Sequence, residues 1–291
     1  MEVLITGLNN YLARNITVCL AEAGYHVTCL VRNRLFLDKH MPEKCGVNIL
    51  EGDLFRGIVP SGLQKKTRVA FCFNQSPIDE LDIRCEMDLI ALHKYIRLLR
   101  STDCEQLIYV TKLLDDNVDQ VKLLLNQSGM AYTIVRISNI IGKESALMNI
   151  FAKLAKRRWV VLPKAFLTSQ CQPIHLLDVC AYLSKIILNP ETYGKVFDIG
   201  GKEVMTYQEA FERYLDVAKL KRNTVTLPSL GKPFSNFIGR YIYKFEQDVA
   251  AAFTTYMCRD LVTVNDGLSS YYPSIKLASF DVSLRYALEL S

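Results

Sequence analysis

The sequence predicts an α/β protein: a doubly wound parallel sheet followed by a small C-terminal α/β lobe. Three observations predict it. A strand pattern runs into a glycine turn and a helix pattern over residues 3–13, short apolar runs then alternate with helix-length segments, and this regularity loosens after Gly142. Parallel strands need such crossover helices, which cover both faces of the sheet. We therefore expect a core over residues 1–142 and a lobe over residues 143–291.

The first half contains six predicted strands and three predicted helices, recognised from short apolar runs and amphipathic segments. Gly24 is expected to end the first helix, because glycine readily adopts the left-handed backbone of a helix C-terminus. The strands are predicted over residues 2–6, 26–31, 47–50, 69–73, 106–111 and 132–136, and the helices over residues 10–23, 79–100 and 116–127.

The second half is predicted to mix helices with short extended pieces. Asp178 is the expected N-cap of a helix over residues 179–188. Thr206 and Glu209 have the spacing of a capping box that opens another helix. Two or three helices are expected over residues 223–291. The remaining predicted elements are a helix over 145–157, extended pieces over 159–162 and 172–175, and a strand over 196–199.

The composition indicates a globular protein. Of the 291 residues, 50% are apolar and 22% charged, and no apolar run reaches the ~18 residues of a membrane span. The net charge of +5 comes without the basic, aromatic-interleaved stripe of a nucleic-acid surface. The nine cysteines are scattered and contain no Cys-x-x-Cys, which argues against a disulfide framework or zinc site. We expect a cytoplasmic protein with no membrane span and no nucleic-acid partner.

The strand–turn–helix over residues 3–13 has the form of a phosphate cradle, in which backbone N–H groups and a positive helix end face the turn. Asn10 and Ala13 stand where a Gly-x-x-Gly-x-x-Gly motif has its second and third glycines. Asn visits left-handed backbone conformations readily, and Ala is accepted at the third position. Two interpretations are open: a cradle with some loss of affinity, or a plain strand–turn–helix that binds nothing.

A series of short blocks, spread in order over nearly the whole chain, resembles one protein class. Thr6-Gly7 with Tyr11-Leu12 is similar to the cofactor turn of the atypical and extended short-chain dehydrogenases/reductases. Later blocks resemble the NmrA-like, NAD(P)H-binding branch, which includes proteins labelled nucleoside-diphosphate-sugar epimerases. These blocks are Val31–Asn33, Glu51–Leu54, Leu107–Thr111, Tyr132–Arg136, Gln172–His175 with Asp178-Val179, Gly194–Gly201 and Thr206-Tyr207.

The resemblance implies a Rossmann sheet of six or seven parallel strands, a small lobe over the strand ends, and bound NAD(P). It also implies which residues line the cofactor. Gly7, Asn10, Tyr11 and Leu12 would line the pyrophosphate, and Asp53 and Leu54 would flank the adenine. Asn74 and Gln75 would run past the ribose and phosphates, and Thr111, Ile137 and Asn139 would lie near the nicotinamide.

Arg32 favours NADP over NAD as the cofactor. NAD enzymes usually place an acidic residue at the end of the second strand, where it accepts a hydrogen bond from the ribose 2′-hydroxyl. Here Arg32 and Arg34 follow that strand with no acid between them, and a cation suits the 2′-phosphate of NADP. NAD is the alternative cofactor. The alternative explanation of Arg32 is a solvated arginine just past a strand, with no role in binding.

The catalytic pattern of this class is incomplete. Its reductases carry a Tyr-x-x-x-Lys pair on the helix after the fifth strand, but here Val118 stands four residues before Lys122 and the segment has no tyrosine. Thr111 is a candidate for the family's serine, yet it does not replace a phenol beside an ammonium group in proton transfer. Lys122 is expected at the surface and His175 in the core. No catalytic residue is assigned, and no cluster has metal-ligand spacing.

These features lead to three hypotheses. The first is an NAD(P)-binding protein of this class, acting as an NADPH-dependent oxidoreductase that transfers hydride directly to a small-molecule acceptor resembling a flavin or quinone. Such an acceptor needs little acid from the protein. The second is a non-catalytic NADP(H)-sensing or assembly protein. The third is a sugar-nucleotide epimerase or dehydratase-like enzyme, against which the missing tyrosine argues.

Overall fold

The backbone divides into two compact units. In the computed structural model, the described residues are 1–34, 46–54, 56, 58–60, 62–63, 66–74, 83–227, 243–244, 253, 259–264 and 267–290. The first unit holds Met1–Ser76, Glu80–Arg136 and Cys180–Phe197, and the second holds Pro77–Asp79, Ile137–Val179 and Asp198–Ser291. The chain therefore leaves the first unit after Arg136 and returns to it at Cys180.

A seven-stranded sheet organises the first unit. Numbered in chain order, its strands are β1 (Glu2–Thr6), β2 (His26–Val31), β3 (Asn48–Glu51), β4 (Thr67–Phe73), β5 (Gln106–Lys112), β6 (Ala131–Ile137) and β11 (Lys195–Ile199). Their spatial order is β11-β6-β5-β4-β1-β2-β3, and the pairs from β3 to β5 are parallel. The strand order reverses between β1 and β4, the position where sheets of this type bind ligands. The predicted doubly wound α/β fold is confirmed.

The strands and helices of the first unit bury one another's apolar faces. Val3, Leu4 and Ile5 of β1 are at most 1% exposed, as expected for a parallel strand covered on both faces. The helices are α1 (Tyr11–Glu22), α2 (Ile83–Leu99) and α3 (Val118–Ser128). Gly24, at φ +86°, follows α1 as predicted. No helix in the described ranges has the length and apolarity to cross a membrane.

The segment that returns to the first unit supplies partners for buried polar side chains. Gln106 is fully buried at the start of β5. Its amide nitrogen donates to the carbonyl oxygen of Ile186 over 3.0 Å, and its oxygen accepts from the N–H of Leu188 over 2.6 Å. The Thr133 hydroxyl donates to the carbonyl oxygen of Thr192 over 3.1 Å. A buried amide without partners costs free energy, so this segment belongs to the core.

The second unit combines short two-stranded sheets with helices. Its core contains the tilted aromatic pair Phe151 and Phe211, with ring centroids 5.4 Å apart. The strand pairs are β10 (Ile174–His175) with β7 (Ile140–Ile141), β12 (Met205–Thr206) with β9 (Gln170–Cys171), and β13 (Asn223–Leu227) with β8 (Trp159–Pro163). The helices, of which α6 continues into the first unit, are α4 (Ala146–Ala155), α5 (Lys164–Thr168), α6 (Leu176–Lys185), α7 (Tyr207–Val217), α8 (Gly267–Tyr271) and α9 (Phe280–Ala287).

One prediction for this unit is wrong, one strand is not predicted, and one prediction is confirmed. Asp178 is not an N-cap, because α6 begins at Leu176 and places Asp178 in its first turn; its carboxylate accepts from the N–H of Ala278 over 2.9 Å. Residues 223–227 form strand β13, which the sequence analysis does not predict, in keeping with the β-branched Thr-Val-Thr run at its centre. The capping box of Thr206 and Glu209 is present at the start of α7.

Candidate functional site

Gly7 forms the tight turn between β1 and α1. Its φ is +89°, and a Cβ atom there would lie 2.5 Å from the carbonyl oxygen of Phe73 and 2.9 Å from the Phe73 Cβ. Glycine is thus required twice, by the left-handed backbone and by the close approach of the turn to the end of β4. Both requirements arise within the protein itself, because the crowding atoms belong to β4.

Asn10 caps helix α1. Its φ of −73° and ψ of 136° are extended, and its side-chain oxygen accepts from the N–H of Leu12 over 2.8 Å. The expectation that Asn10 replaces a glycine through left-handed backbone is therefore wrong, because an N-cap residue takes β-region angles. The side-chain nitrogen donates to the carbonyl oxygen of Asn74 over 3.1 Å. Asparagine directly before an amphipathic helix is a strong capping pattern, which sequence reasoning overlooked.

Arg14 places a positive charge at the same turn. Its Nη1 donates to the carbonyl oxygens of Leu8 and Asn9, over 3.0 and 2.9 Å. These bonds hold the turn in shape and add to the positive end of the helix dipole. Ala13, at the position of the third glycine, is completely buried on the inner face of the helix. Sequence reasoning did not identify Arg14.

Two arginines follow the end of β2. Arg32 and Arg34 are both exposed, and the backbone N–H of Arg34 donates to a carboxylate oxygen of Glu51 over 2.7 Å. Glu51 ends β3 and pairs in register with Val31 of β2. An acidic group therefore lies next to the basic run in space although not in sequence. Its contact with the Arg34 backbone shapes the strand end, while the Arg32 side chain extends into solvent.

Asp53 shapes the loop after β3. Its backbone forms an antiparallel bridge with Ile58, and its carboxylate accepts from the N–H of Arg56 over 3.3 Å. The guanidinium of Arg56 lies 3.7 Å from the same carboxylate. Leu54 is half-buried and packs against the core of the first unit. The assignment of Asp53 and Leu54 to the adenine stays a prediction.

A polar network lies at the carboxyl ends of β4 and β5. Asp115 accepts from the Thr111 hydroxyl over 2.5 Å, from the Asn74 side-chain amide over 3.1 Å and from the Asn117 N–H over 3.0 Å. Asn10 joins this network through the Asn74 carbonyl. The structure thus brings together Asn10, Asn74 and Thr111, three of the predicted cofactor residues, around a carboxylate that sequence reasoning missed.

Tyr109 and Lys122 do not reproduce the Tyr-x-x-x-Lys pair of the resembled class. Tyr109, the tyrosine on β5, is buried, and burial with nearby Asp115 raises its pKa well above its ordinary value. Lys122 is exposed on α3, as predicted. The Thr111 hydroxyl is hydrogen-bonded to Asp115. Helix α3 therefore has no tyrosine that could act with Lys122 in proton transfer.

The other predicted site residues stay predictions. Ile137 and Asn139 belong to the second unit, where Asn139 donates from its side chain to the Tyr207 hydroxyl over 2.6 Å. Gln75 lies outside the described residues. His175 is buried, as predicted, and its ring meets that of Tyr286 edge-on at 4.9 Å. Burial lowers the pKa of His175, against the opposing effect of Asp178.

Two curated proteins are similar to parts of this chain. One is NADH dehydrogenase (ubiquinone) 1 alpha subcomplex subunit 9, mitochondrial, of Dictyostelium discoideum, 30% identical over 110 residues, which are 38% of this chain and 29% of that protein. The other is Photosystem II assembly factor Ycf39 of Trieres chinensis, 24% identical over 219 residues, 70% of this chain and 65% of that protein. Each match spans less than two thirds of the relative. No protein-family model matches the chain.

Solved structures resemble nearly the whole chain. UDP-glucose 4-epimerase of Thermus thermophilus, complexed with NAD, has a TM-score of 0.72 at 12% identity, covering 100% of this chain and 98% of its own. Triphenylmethane reductase of Citrobacter sp., complexed with NADP(H), has the same TM-score and identity, and the match covers 99% of this chain and 100% of the reductase. A nucleoside-diphosphate-sugar epimerase of Staphylococcus aureus has a TM-score of 0.68 at 14% identity, and the match covers 98% of this chain and 100% of the epimerase. The chain therefore has the Rossmann fold of these proteins, and the predicted resemblance is confirmed at the level of fold.

Proposed function

We propose that this chain is a non-catalytic NADP(H)-sensing assembly protein, which binds the dinucleotide at the carboxyl ends of β1, β2 and β4 and changes its affinity for a protein partner. The observation that carries the proposal is the placement of the Asn10 side chain. This side chain accepts a hydrogen bond from the N–H of Leu12 and donates one to the carbonyl oxygen of Asn74. A ligand that takes the Leu12 N–H must therefore displace the Asn10 side-chain oxygen. Because the same amide group holds the Asn74 carbonyl, this displacement links binding to a local structural change.

The contact between Asn10 and Leu12 also supports a fit to a phosphate. The side-chain oxygen of Asn10 stands where an anion oxygen accepts at a helix N-terminus. Rotation of that side chain exposes an N–H already directed at such an oxygen. Arg14 contributes positive charge at the turn, and Arg32 is a solvent-exposed cation for the 2′-phosphate. In this proposal Gly7, Leu12 and Arg32 hold the dinucleotide.

The described residues of β5 and α3 contain no Tyr-x-x-x-Lys pair, which supports sensing over turnover. Bound NADP(H) supplies a transferable hydride, but reduction of a carbonyl also needs a proton donor. Thr111 is hydrogen-bonded to the Asp115 carboxylate, and burial keeps the Tyr109 phenol protonated. The two similar curated proteins, a subunit of one complex and an assembly factor of another, agree with a role in protein association.

Calorimetry and partner capture together test this proposal. We expect NADPH and NADP⁺ to bind the purified protein, and NADPH to show no turnover with any acceptor in a panel of aldehydes, quinones, flavins and nucleotide sugars. Immobilised protein should retain a specific partner to different extents with and without NADPH. Arg32→Ala should reduce this difference at the same NADPH concentration. Absence of heat with both phosphorylated nucleotides, or steady turnover with any acceptor, contradicts the proposal.

A second candidate is an NADPH-dependent oxidoreductase that reduces a flavin- or quinone-like acceptor. The likeness to a triphenylmethane reductase complexed with NADP(H) favours it, because a delocalised acceptor receives hydride without a protein acid. The test is the rate of NADPH oxidation in the presence of free flavins, quinones and cationic dyes. Turnover that saturates with one acceptor, with a KM for NADPH that rises in Arg32→Ala, supports this candidate over the first.

A further inference from the structure

Cys19 and Cys180 meet inside the first unit. Their sulfur atoms lie 3.0 Å apart although the residues are separated by 161 positions in sequence. Cys19 is half-buried in the last turn of α1, and Cys180, on α6, is 5% exposed. A disulfide has its sulfurs about 2.05 Å apart, so closure by about 1 Å forms the bond. Small rotations of the two side chains supply such a movement.

We propose that Cys19 and Cys180 are a site of reversible oxidation, at which a peroxide converts the two thiols into a disulfide that ties α1 to α6. The site is separate from the dinucleotide residues and does not depend on the proposed function. Cys19 acts first because an oxidant reaches it from solvent, and Cys180 then resolves the oxidised sulfur from the protein interior.

The hydrogen bond between the thiols divides the two roles. The contact with the Cys180 thiol lowers the pKa of Cys19, an effect that burial and the charge of Glu22 oppose. The same bond, with burial, raises the pKa of Cys180. Since the thiolate is the reactive form, Cys19 is the nucleophile of the pair and Cys180 keeps its proton until the second step.

The chemistry balances in two steps. The Cys19 thiolate attacks one peroxide oxygen, the O–O bond breaks, and the sulfur becomes a sulfenic acid while the other oxygen leaves as water after gaining a proton. The Cys180 sulfur then attacks the Cys19 sulfur, losing its proton as the S–O bond breaks and a second water leaves. Two thiols are oxidised by two electrons in total, and one hydrogen peroxide is reduced to two waters.

The other described cysteines lack this combination of exposure and partner. Burial raises the pKa of Cys72 and of Cys104 to about 12, and Cys29 and Cys171 are completely buried. Among the six cysteines that the structure describes, the pair is therefore the expected site of first oxidation. Cys104, which is half-buried and whose thiol donates to the carbonyl oxygen of Gln106, is the matched control.

Peroxide treatment of the full-length folded protein, followed by peptide mapping, tests the proposal. Trypsin releases Cys19 within residues 15–32 and Cys180 within residues 165–185. We expect these two peptides to become joined, with fragment spectra that assign the bond to Cys19 and Cys180, and dithiothreitol to separate them. The unfolding midpoint should rise by about 5 °C, because the bond closes a long loop.

Three variants make the outcome decisive. Cys180→Ser should convert the product into a Cys19 sulfenic acid that dimedone traps, whereas Cys19→Ser should give neither product. Cys104→Ser should form the cross-link like the wild type. If wild-type Cys19 is trapped by dimedone as fully as in Cys180→Ser, or the cross-link joins other cysteines in its place, the proposal is overturned. Since Cys19 is only half-buried, we expect Cys19→Ser to fold. Its failure to form the cross-link therefore tests the proposal even if Cys180→Ser does not fold.

Discussion

The side-chain nitrogen of Asn10 donates to the carbonyl oxygen of Asn74 over 3.1 Å, across 64 positions in sequence. Its side-chain oxygen simultaneously accepts from the N–H of Leu12 over 2.8 Å. One asparagine thus fastens the first turn of α1 to the end of β4, on the two sides of the position where the strand order reverses. The helix N-terminus that a phosphate would use already has an internal acceptor.

Replacing Asn10 with glycine should increase the affinity for NADPH. The substitution frees the Leu12 N–H and costs the helix only a few tenths of a kcal/mol, since glycine is a tolerated N-cap. Removal of a competing internal hydrogen bond worth about 1 kcal/mol predicts about fivefold tighter binding by calorimetry. Asn15→Ala, which removes another side-chain bond within α1, should leave the dissociation constant unchanged. An unchanged or larger constant for Asn10→Gly would show that the side chain does not compete with the nucleotide.

Gly7→Ala should destabilise the protein far more than Gly24→Ala. Both glycines have φ near +90°, but a Cβ at Gly7 meets the Phe73 backbone at 2.5 Å, whereas nothing lies within 4 Å of one at Gly24. We expect losses in the free energy of unfolding of about 3 kcal/mol and about 1 kcal/mol respectively. Urea denaturation followed by circular dichroism measures both. Equal losses would mean that β4 moves away without cost.

Arg32→Ala should weaken NADP binding more than NAD binding. Loss of a charge-assisted contact to the 2′-phosphate predicts an increase of about tenfold in the NADP dissociation constant. Arg68→Ala is the control, because it removes the same charge from an exposed pair with Glu105. Arg68 lies near the amino end of β4, opposite the carboxyl ends of the strands. Equal losses for both nucleotides would refute the preference for NADP.

Asp115→Asn should destabilise the first unit. The carboxylate accepts from Thr111, Asn74 and Asn117, and an amide in its place turns one acceptor into a donor that faces other donors. We expect a loss of about 2 kcal/mol in the free energy of unfolding. Asp116→Asn alters the exposed neighbouring residue and should have little effect. Similar midpoints for the two variants in urea would show that the network does not contribute to stability.

Glu203→Gln should remove part of the acid sensitivity of the fold. Arg213 lies 2.7 Å from Glu203, and this contact and the Phe280 N–H lower the pKa of Glu203 from its ordinary 4.5. A lowered pKa in the folded state stabilises the protein above the unfolded value, and that stability is lost as the pH falls. The difference between wild type and variant, about 1 kcal/mol at pH 7, should therefore shrink below pH 4.5. A difference that is constant down to pH 3 would exclude this ionisation as its cause.

Local patterns predicted most of the first unit, because its strands are continuous apolar runs and Gly7 and Gly24 mark its turns. The errors have specific causes. The role of Asn10 depends on the end of β4, which is distant in sequence. The partners of Asp115 come from two different strands and a loop. Strand β13 pairs with β8 across more than sixty residues, so its short β-branched run lacked a local partner to identify it.

The return of Cys180–Phe197 to the first unit has a consequence for biosynthesis. Gln106 and Thr133 emerge from the ribosome well before Ile186, Leu188 and Thr192, with which they form their buried hydrogen bonds. The nascent sheet therefore has an unfilled edge at β6 during synthesis of the intervening segment. The exposed edge is a vulnerable stage for mispairing, so translation speed between residues 137 and 197 is expected to influence the yield of folded protein.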